Sequence, residues 1–163
     1  MSSHEQPLVL CLEDREATIT YFAKQARNAG CEPEIFGTPG ELASYLEERF
    51  GDPPDSGKLA RVRLGFIVDL MILGVVDLGA IGMPQVSTRG GVHAGYVFVD
   101  RFLRDARSDY RGFPVCFLTE RPLTSDLDQD ITALQNRNHG FLTIVNKYSE
   151  EDRGKFGEFL SKI

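Results

Sequence analysis

Residues 63–69 have the sequence RLGFIVD, in which a nearly continuous apolar run ends at an aspartate. Consecutive apolar residues over this length are typical of a β-strand that is buried on both faces. Four other short runs also have the length of a strand. They lie at 8–12 (LVLCL), 31–36 (CEPEIF), 114–118 (PVCFL) and 141–146 (FLTIVN). The chain is therefore predicted to contain five strands, with the strand at 63–68 in the centre of their sheet.

Segments with the apolar spacing of helices separate these strands. Residues 19–26 place apolar side chains at i, i+3, i+4 and i+7, which line one face of a helix. Full or weaker versions of this spacing recur at 42–46, 99–106, 127–134 and 156–163. Because parallel strands need crossover connections, strands that alternate with helices predict an α/β fold whose parallel sheet is covered on both faces.

Two connections are longer than this architecture requires. Residues 51–62 are rich in turn-forming residues, and residues 70–92 form a long glycine-rich connection directly after Asp69. Five β-α units of average length need roughly 125 residues, whereas the chain has 163. Since the two connections account for most of the excess, residues 1–163 are predicted to be a single domain with a long insertion at about 70–92.

Composition limits the classes of partner and compartment. The chain has 18 Lys+Arg against 24 Asp+Glu and a net charge of −6, which argues against contact with nucleic acid through a basic face. The apolar stretch 65–83 contains two aspartates, each of which would cost about 2.5–3.5 kcal/mol near a bilayer centre. No contact with a membrane is therefore expected. Cys11, Cys31 and Cys116 lie in apolar runs, which predicts buried thiols and a reducing, cytoplasmic location.

The carboxyl ends of four predicted strands carry chemically versatile side chains. Glu13 and Asp14 follow the first strand, Asp69 ends the third, Thr119 ends the fourth and Lys147 follows the fifth. Ligands of open parallel sheets bind beyond these ends. Any one of these residues alone is more often a turn residue, a cap or a solvated charge, but five of them at four strand ends favour a functional site.

Three of these residues are carboxylates, whose mutual repulsion is relieved by a hard divalent cation such as Mg²⁺. A carboxylate can also act as a nucleophile and form an aspartyl-phosphate. Asp69 is the best candidate for that nucleophile because it ends the most apolar strand, in the centre of the predicted sheet. The metal, Lys147 and the Thr119 hydroxyl could together neutralise the charge of a transferring phosphoryl group.

Four motifs carry a resemblance to a known family: LEDR (12–15), IVDLMIL (67–73), FLTE (117–120) and IVNKY (144–148). In their order and strand placement they resemble the receiver domain of two-component response regulators, the CheY-like superfamily, over nearly the whole chain. The resemblance implies a flavodoxin-like, doubly wound five-stranded parallel sheet with strand order 2-1-3-4-5 and helices on both faces.

The same resemblance implies a function. Asp69 would accept phosphate from a phosphohistidine on a sensor histidine kinase or a histidine phosphotransfer protein. Thr119 and Lys147 would sense the phosphoryl group, so that the domain acts as a signalling switch and not as a turnover enzyme. The ligands of Mg²⁺ would be Glu13, Asp14, Asp69 and the backbone carbonyl of Met71.

Three positions depart from the family pattern. The residue after the switch threonine is usually small, but here it is Glu120, which is expected to repel an incoming phosphodonor unless Arg121 pairs with it. Tyr148 replaces the proline that usually follows the lysine, and Ile144 replaces an aromatic residue three positions before it. These departures leave the phosphorylation site intact and put the conventional output switch in doubt.

Residues 70–92 are unusually apolar for a connection at the mouth of the predicted site. They are expected to form either an extra element folded over the core, or a lid or docking surface for a partner or a second copy of the chain.

Two alternative functions remain open at this point. One is a degenerate receiver that acts as an interaction module without phosphorylation, which Glu120 and the missing aromatic residue favour. The other is a Mg²⁺-dependent phosphatase with Asp69 as its nucleophile. That chemistry usually needs a second acid two residues later, where this chain has Met71.

Overall fold

The computed structural model describes residues 5–72, 94–103, 108–120, 125–137 and 142–163. Five strands form one parallel sheet with the order β2-β1-β3-β4-β5, which confirms the predicted architecture. The predicted strand limits are correct to within one residue. The strands are β1 (Leu8–Leu12), β2 (Glu32–Phe36), β3 (Leu64–Asp69), β4 (Val115–Thr119) and β5 (Leu142–Asn146).

Helices follow the strands as expected, with two differences from the predicted pattern. The connection at 51–62 contains one helical turn, because the Asp55 side chain accepts hydrogen bonds from the backbone N–H groups of Gly57 and Lys58. The helix predicted from the spacing at 99–106 begins earlier and contains a π-helical turn, which shifts the apolar stripe and hides its start. The helices are α1 (Glu16–Asn28), α2 (Pro39–Phe50), α3 (Ser56–Leu59), α4 (Ala94–Phe98, continued by the π-helix Val99–Leu103), α5 (Ser125–Arg137) and α6 (Glu150–Ser161).

Side-chain alternation along the strands divides the core into two layers. Leu10, Phe66 and Phe117 belong to the layer that includes residues of α2, α4 and α5. Cys11 and Ile67 belong to the opposite layer, with residues of α1 and α6. Because β1, β3 and almost all of β4 are buried, the central strands hold their carboxyl ends in fixed relative positions.

Several sequence expectations can be compared with the described residues. The three cysteines are buried free thiols, as predicted. Among the helices in the described ranges, none is long and apolar enough to cross a membrane. Of the long connection at 70–92, only Leu70, Met71 and Ile72 lie within the described residues, and the proposed lid or docking surface falls on the remainder.

Candidate functional site

Asp69 is the last residue of β3, and its side chain is held by two donors. Its Oδ1 accepts a hydrogen bond from the backbone N–H of Met71 at 3.1 Å, and its Oδ2 accepts one from Lys147 Nζ at 3.1 Å. The residue is only 3% exposed. Its carboxylate is therefore fixed at the carboxyl edge of the sheet, where the sequence predicted the nucleophile.

The acid pair that follows β1 lies beside Asp69. The fully buried Glu13 is anchored by its Oε1, which accepts from the backbone N–H groups of Asp14 and Arg15 at 3.2 and 3.1 Å. Asp14 is exposed, and one carboxylate oxygen from each of Glu13, Asp14 and Asp69 lies within 4.8 Å of the other two. The structure thus brings together the three acids that the sequence assigned to one cluster.

Lys147 links the strands at this edge of the sheet. Its backbone N–H donates to the carbonyl of Thr119 at 2.8 Å, which ties the end of β5 to the end of β4. Its side chain is 2% exposed, and Nζ lies 2.7 Å from Glu13 Oε2 as well as 3.1 Å from Asp69 Oδ2. The buried ammonium therefore lies between the two buried carboxylates.

The electrostatics of the site follow from this burial. Desolvation and the neighbouring Glu13 raise the pKa of Asp69 to about 7, although Lys147 and the Met71 N–H lower it. Burial alone would lower the pKa of Lys147, but its contacts with Glu13 and Asp69 outweigh burial and raise it. With Glu13, Asp14 and Asp69 ionised, the cluster carries three negative charges against the one ammonium of Lys147, so it has an excess of negative charge.

The donor set fits a hard divalent cation. Glu13 Oε2 is buried, and its close partner is the Lys147 ammonium at 2.7 Å. The Lys147 ammonium balances only one of the negative charges at this edge, so a further cation would relieve the remaining repulsion among the acids. Oxygen ligands from Glu13, Asp14 and Asp69 are the type that Mg²⁺ and similar ions prefer.

Gly95 supports the site and was missed by the sequence analysis. Its backbone N–H donates to the carbonyl of Leu70 at 3.2 Å, and a Cβ on this residue would lie 1.9 Å from the carbonyl oxygen of Asp69. Only glycine lets α4 approach the end of β3 so closely. A glycine inside a helix costs about 1 kcal/mol relative to alanine unless close packing requires it, but the helical spacing in the sequence begins only at Val99 and so gave no such signal for Gly95.

Glu120 also has a partner that the sequence did not identify. Arg15 Nη1 donates a hydrogen bond to Glu120 Oε1, and the same oxygen lies 3.5 Å from Lys147 Nζ. The partner considered from the sequence was Arg121, which lies outside the described residues. Whether two side chains that are far apart in the chain form a pair depends on their burial and rotamers. These cannot be read from a single sequence.

The other predicted residues take the following positions. Thr119 is the last residue of β4, is partly buried and is opposite Asn146 in the β4–β5 register. Met71 is partly buried and contributes its backbone N–H to Asp69. Ile144 packs against the core, whereas Tyr148 is 74% exposed.

Comparisons with known proteins identify the fold. No family model matches the chain, and no curated protein matches its sequence. Among solved structures, the chain is similar to a proposed response regulator from Chloroflexus aurantiacus, with a TM-score of 0.59, 16% identity and coverage of 96% of this chain and 99% of that one. It is also similar to a response regulator receiver domain from Rhodospirillum rubrum, with a TM-score of 0.54, 20% identity and coverage of 96% and 94%.

A third similar structure is the receiver domain of the histidine kinase CKI1 from Arabidopsis thaliana, complexed with Mg²⁺. It aligns with a TM-score of 0.52 and 10% identity over 94% of this chain and 90% of that one. At these identities the likeness concerns the fold, and the strand order of this sheet agrees with it. The chain has the fold of the response regulator receiver domains.

Proposed function

We propose that this chain is a phosphoacceptor receiver of a two-component or phosphorelay system, and that Asp69 accepts the phosphoryl group. One observation carries the proposal: the Asp69 carboxylate lies 3.1 Å from Lys147 Nζ and within 4.8 Å of the carboxylates of Glu13 and Asp14. A nucleophilic carboxylate, a buried ammonium and an acidic cluster at the carboxyl edge of a parallel sheet suit phosphoryl transfer.

Mg²⁺ is the proposed cofactor, and the similar CKI1 receiver is a complex with that ion. Glu13, Asp14 and Asp69 would hold it, and the family resemblance adds the backbone carbonyl of Met71. When bound, such an ion supplies positive charge that neutralises the oxygens of the transferring phosphoryl group.

The proposed transfer forms a bond between an Asp69 carboxylate oxygen and the phosphorus of a phosphohistidine. The phosphorus–nitrogen bond breaks, its electron pair stays with the imidazole nitrogen, and no oxidant or reductant takes part. Lys147 stabilises the charge on the phosphoryl oxygens as a point charge, and the Thr119 hydroxyl is the proposed hydrogen-bond donor to one of them. Asp69 must be ionised to act, which proximity of a cation favours.

A signalling role is proposed in preference to catalytic turnover. Met71 stands two residues after Asp69, where a phosphatase of this type would need a second acid. The proposed partner is a sensor histidine kinase or a histidine phosphotransfer protein. The buried free thiols suit the cytoplasm, where such partners present their phosphohistidines.

Labelling with a small phosphodonor tests the proposal. We expect the protein to gain one phosphoryl group by intact mass when incubated with Mg²⁺ and acetyl phosphate, and to bind beryllofluoride. Asp69→Asn should abolish both. Asp14→Asn changes an exposed side chain, so it should weaken Mg²⁺ binding while the variant still folds. The proposal fails if the folded wild-type protein neither gains a phosphoryl group nor binds beryllofluoride at any Mg²⁺ concentration.

A degenerate receiver that acts as an interaction module is the second candidate, and Glu120 favours it. The Glu120 carboxylate lies 3.5 Å from the Lys147 ammonium, which is the group proposed to bind the phosphoryl oxygens. This candidate predicts the negative outcome of the labelling experiment together with partner binding that is unchanged in Asp69→Asn. Release of phosphate through many turnovers would instead support the phosphatase.

A further inference from the structure

An ion pair bridges the mouth of the site above Asp69. Arg15 comes directly after the acid pair at the end of β1, and Glu120 comes directly after Thr119 at the end of β4. Their side chains are joined although they are 105 positions apart in the chain. Since β3 lies between β1 and β4 in the sheet, the pair spans the end of the strand that carries Asp69.

The two members of the pair differ in their surroundings. The Arg15 side chain is 46% exposed, whereas the Glu120 side chain is 20% exposed and faces the 2% exposed side chain of Lys147. Water screens Arg15 more effectively than it screens Glu120. The Lys147 ammonium therefore lies next to the negative member of the pair, Glu120.

Lys147 consequently interacts with three carboxylates. Its Nζ lies 2.7 Å from Glu13, 3.1 Å from Asp69 and 3.5 Å from Glu120. Glu13 and Asp69 are buried and fixed, so Glu120 is the carboxylate that can most easily give way. A phosphoryl oxygen that seeks Lys147 competes with Glu120 for the same cation.

We propose that Arg15 and Glu120 form a latch that determines which phosphodonors reach Asp69. The latch is the Arg15–Glu120 ion pair, with Glu120 held against Lys147 as an internal anion. A small anionic donor brings only its own charge to displace Glu120. A phosphohistidine on a docked protein also brings the binding energy of its interface. The latch thus selects protein phosphohistidines over free acyl phosphates, and this inference rests on the proposed function of Asp69.

Replacement of Glu120 by its neutral isostere tests the latch. Glu120→Gln should label with acetyl phosphate about fivefold faster than the wild type at low salt, which corresponds to a contribution of about 1 kcal/mol from the charge of Glu120. Added salt should reduce the ratio toward one, since screening weakens the anion in the wild type alone. Glu48→Gln removes the same charge from an exposed position on α2 and should leave the rate unchanged.

A comparison of donors separates specificity from a general change in reactivity. The acceleration in Glu120→Gln should be smaller with a protein phosphohistidine donor than with acetyl phosphate. Equal thermal unfolding midpoints in the two Gln variants would show that the gain is not a folding effect.

The possible failures are distinguishable. If the wild type takes up phosphate and Glu120→Gln reacts at the same rate or more slowly, the latch is wrong and the proposed function stands. An equal acceleration with both donors also overturns it, because no selection would then exist. If neither protein is labelled or binds beryllofluoride, the proposed function fails and the latch fails with it.

Discussion

Lys147 Nζ lies 2.7 Å from Glu13 Oε2, and both side chains are almost completely buried. The pair joins the end of β5 to the end of β1, across β3 and β4 in the sheet. Asp69 completes a buried triad that carries one positive and two negative charges when all three groups are ionised. A buried group of this kind is expensive to desolvate and adds little net stability, but loss of one partner leaves an uncompensated charge.

Lys147→Met should therefore destabilise the metal-free protein strongly. It leaves the carboxylates of Glu13 and Asp69 buried without their cation, which typically costs about 3–5 kcal/mol. Lys155→Met is the control, because Lys155 is 58% exposed and pairs with Asp152 one turn away. Urea denaturation in EDTA measures both changes. Equal, small losses in the two variants would contradict the structural role of Lys147.

The pH dependence of stability should report Asp69. Its pKa is raised to about 7 in the folded state from 3.8, so the folded protein binds the proton more tightly than the unfolded chain. The stabilisation from this proton is complete below pH 3.8 and is lost as the pH rises to about 7. In EDTA at pH 8, Asp69→Asn should be more stable than the wild type by about 1–2 kcal/mol. This is the net of the gain from removing a buried charge and the loss of the ion pair with Lys147.

Mg²⁺ provides the control for this effect. Added Mg²⁺ should stabilise the wild type at pH 8 and have much less effect on Asp69→Asn, because the ion binds the ionised carboxylate. Chemical denaturation of both proteins at pH 5 and pH 8, each with and without the ion, measures the free energies of unfolding that are compared. A stability gap between the two proteins that is independent of pH in EDTA would contradict the raised pKa.

The sheet was predictable from sequence because the buried strands are nearly continuous apolar runs. The run 64–69 is too short for a typical helix but has the length of a strand. Because such runs alternate with helical segments, the strands are expected to pair in parallel. The full helix at 94–103 was not predictable, because the π-helical turn Val99–Leu103 follows the α-helical residues and the apolar spacing then fits no single period.

The acidic cluster was predictable for a topological reason. Glu13, Asp14 and Asp69 end neighbouring parallel strands, so the sheet alone brings them together. The Arg15–Glu120 pair and the contact of Gly95 with Asp69 depend on side-chain directions and on a close backbone approach. Strand order does not determine either of these contacts, and both became visible only in three dimensions.

Gly95→Ala should disturb the site specifically. A Cβ at this position would lie 1.9 Å from the carbonyl oxygen of Asp69, and backbone cannot move as a flexible side chain does. We expect a loss of about 1–3 kcal/mol in stability, as for other overpacked sites, and weaker Mg²⁺ binding. Gly154→Ala on α6 meets no atom within 4 Å and should stabilise by about 0.5–1 kcal/mol. Similar effects from both substitutions would contradict the close approach.

Asp152 anchors Asn146, which ends β5 and precedes Lys147. The contribution of this anchor to stability should depend on pH. Its Oδ2 accepts from the backbone N–H of Asn146 at 2.7 Å, and its Oδ1 lies 3.0 Å from Lys155. The Asn146 N–H, aided by Lys155, lowers the pKa of Asp152 from 3.8. The resulting stabilisation is present above pH 3.8 and is lost as the pH falls through the lowered folded value.

Asp152→Asn should therefore cost about 1 kcal/mol at pH 7, because the neutral amide oxygen accepts the Asn146 hydrogen bond without the help of a negative charge. The difference from the wild type should shrink when the pH is taken well below 3.8, where the wild-type side chain is also neutral. Glu158→Gln removes one exposed charge from the same helix and serves as the matched control. Denaturation midpoints across this pH range test the anchor, and a cost that stays constant down to low pH would refute its electrostatic origin.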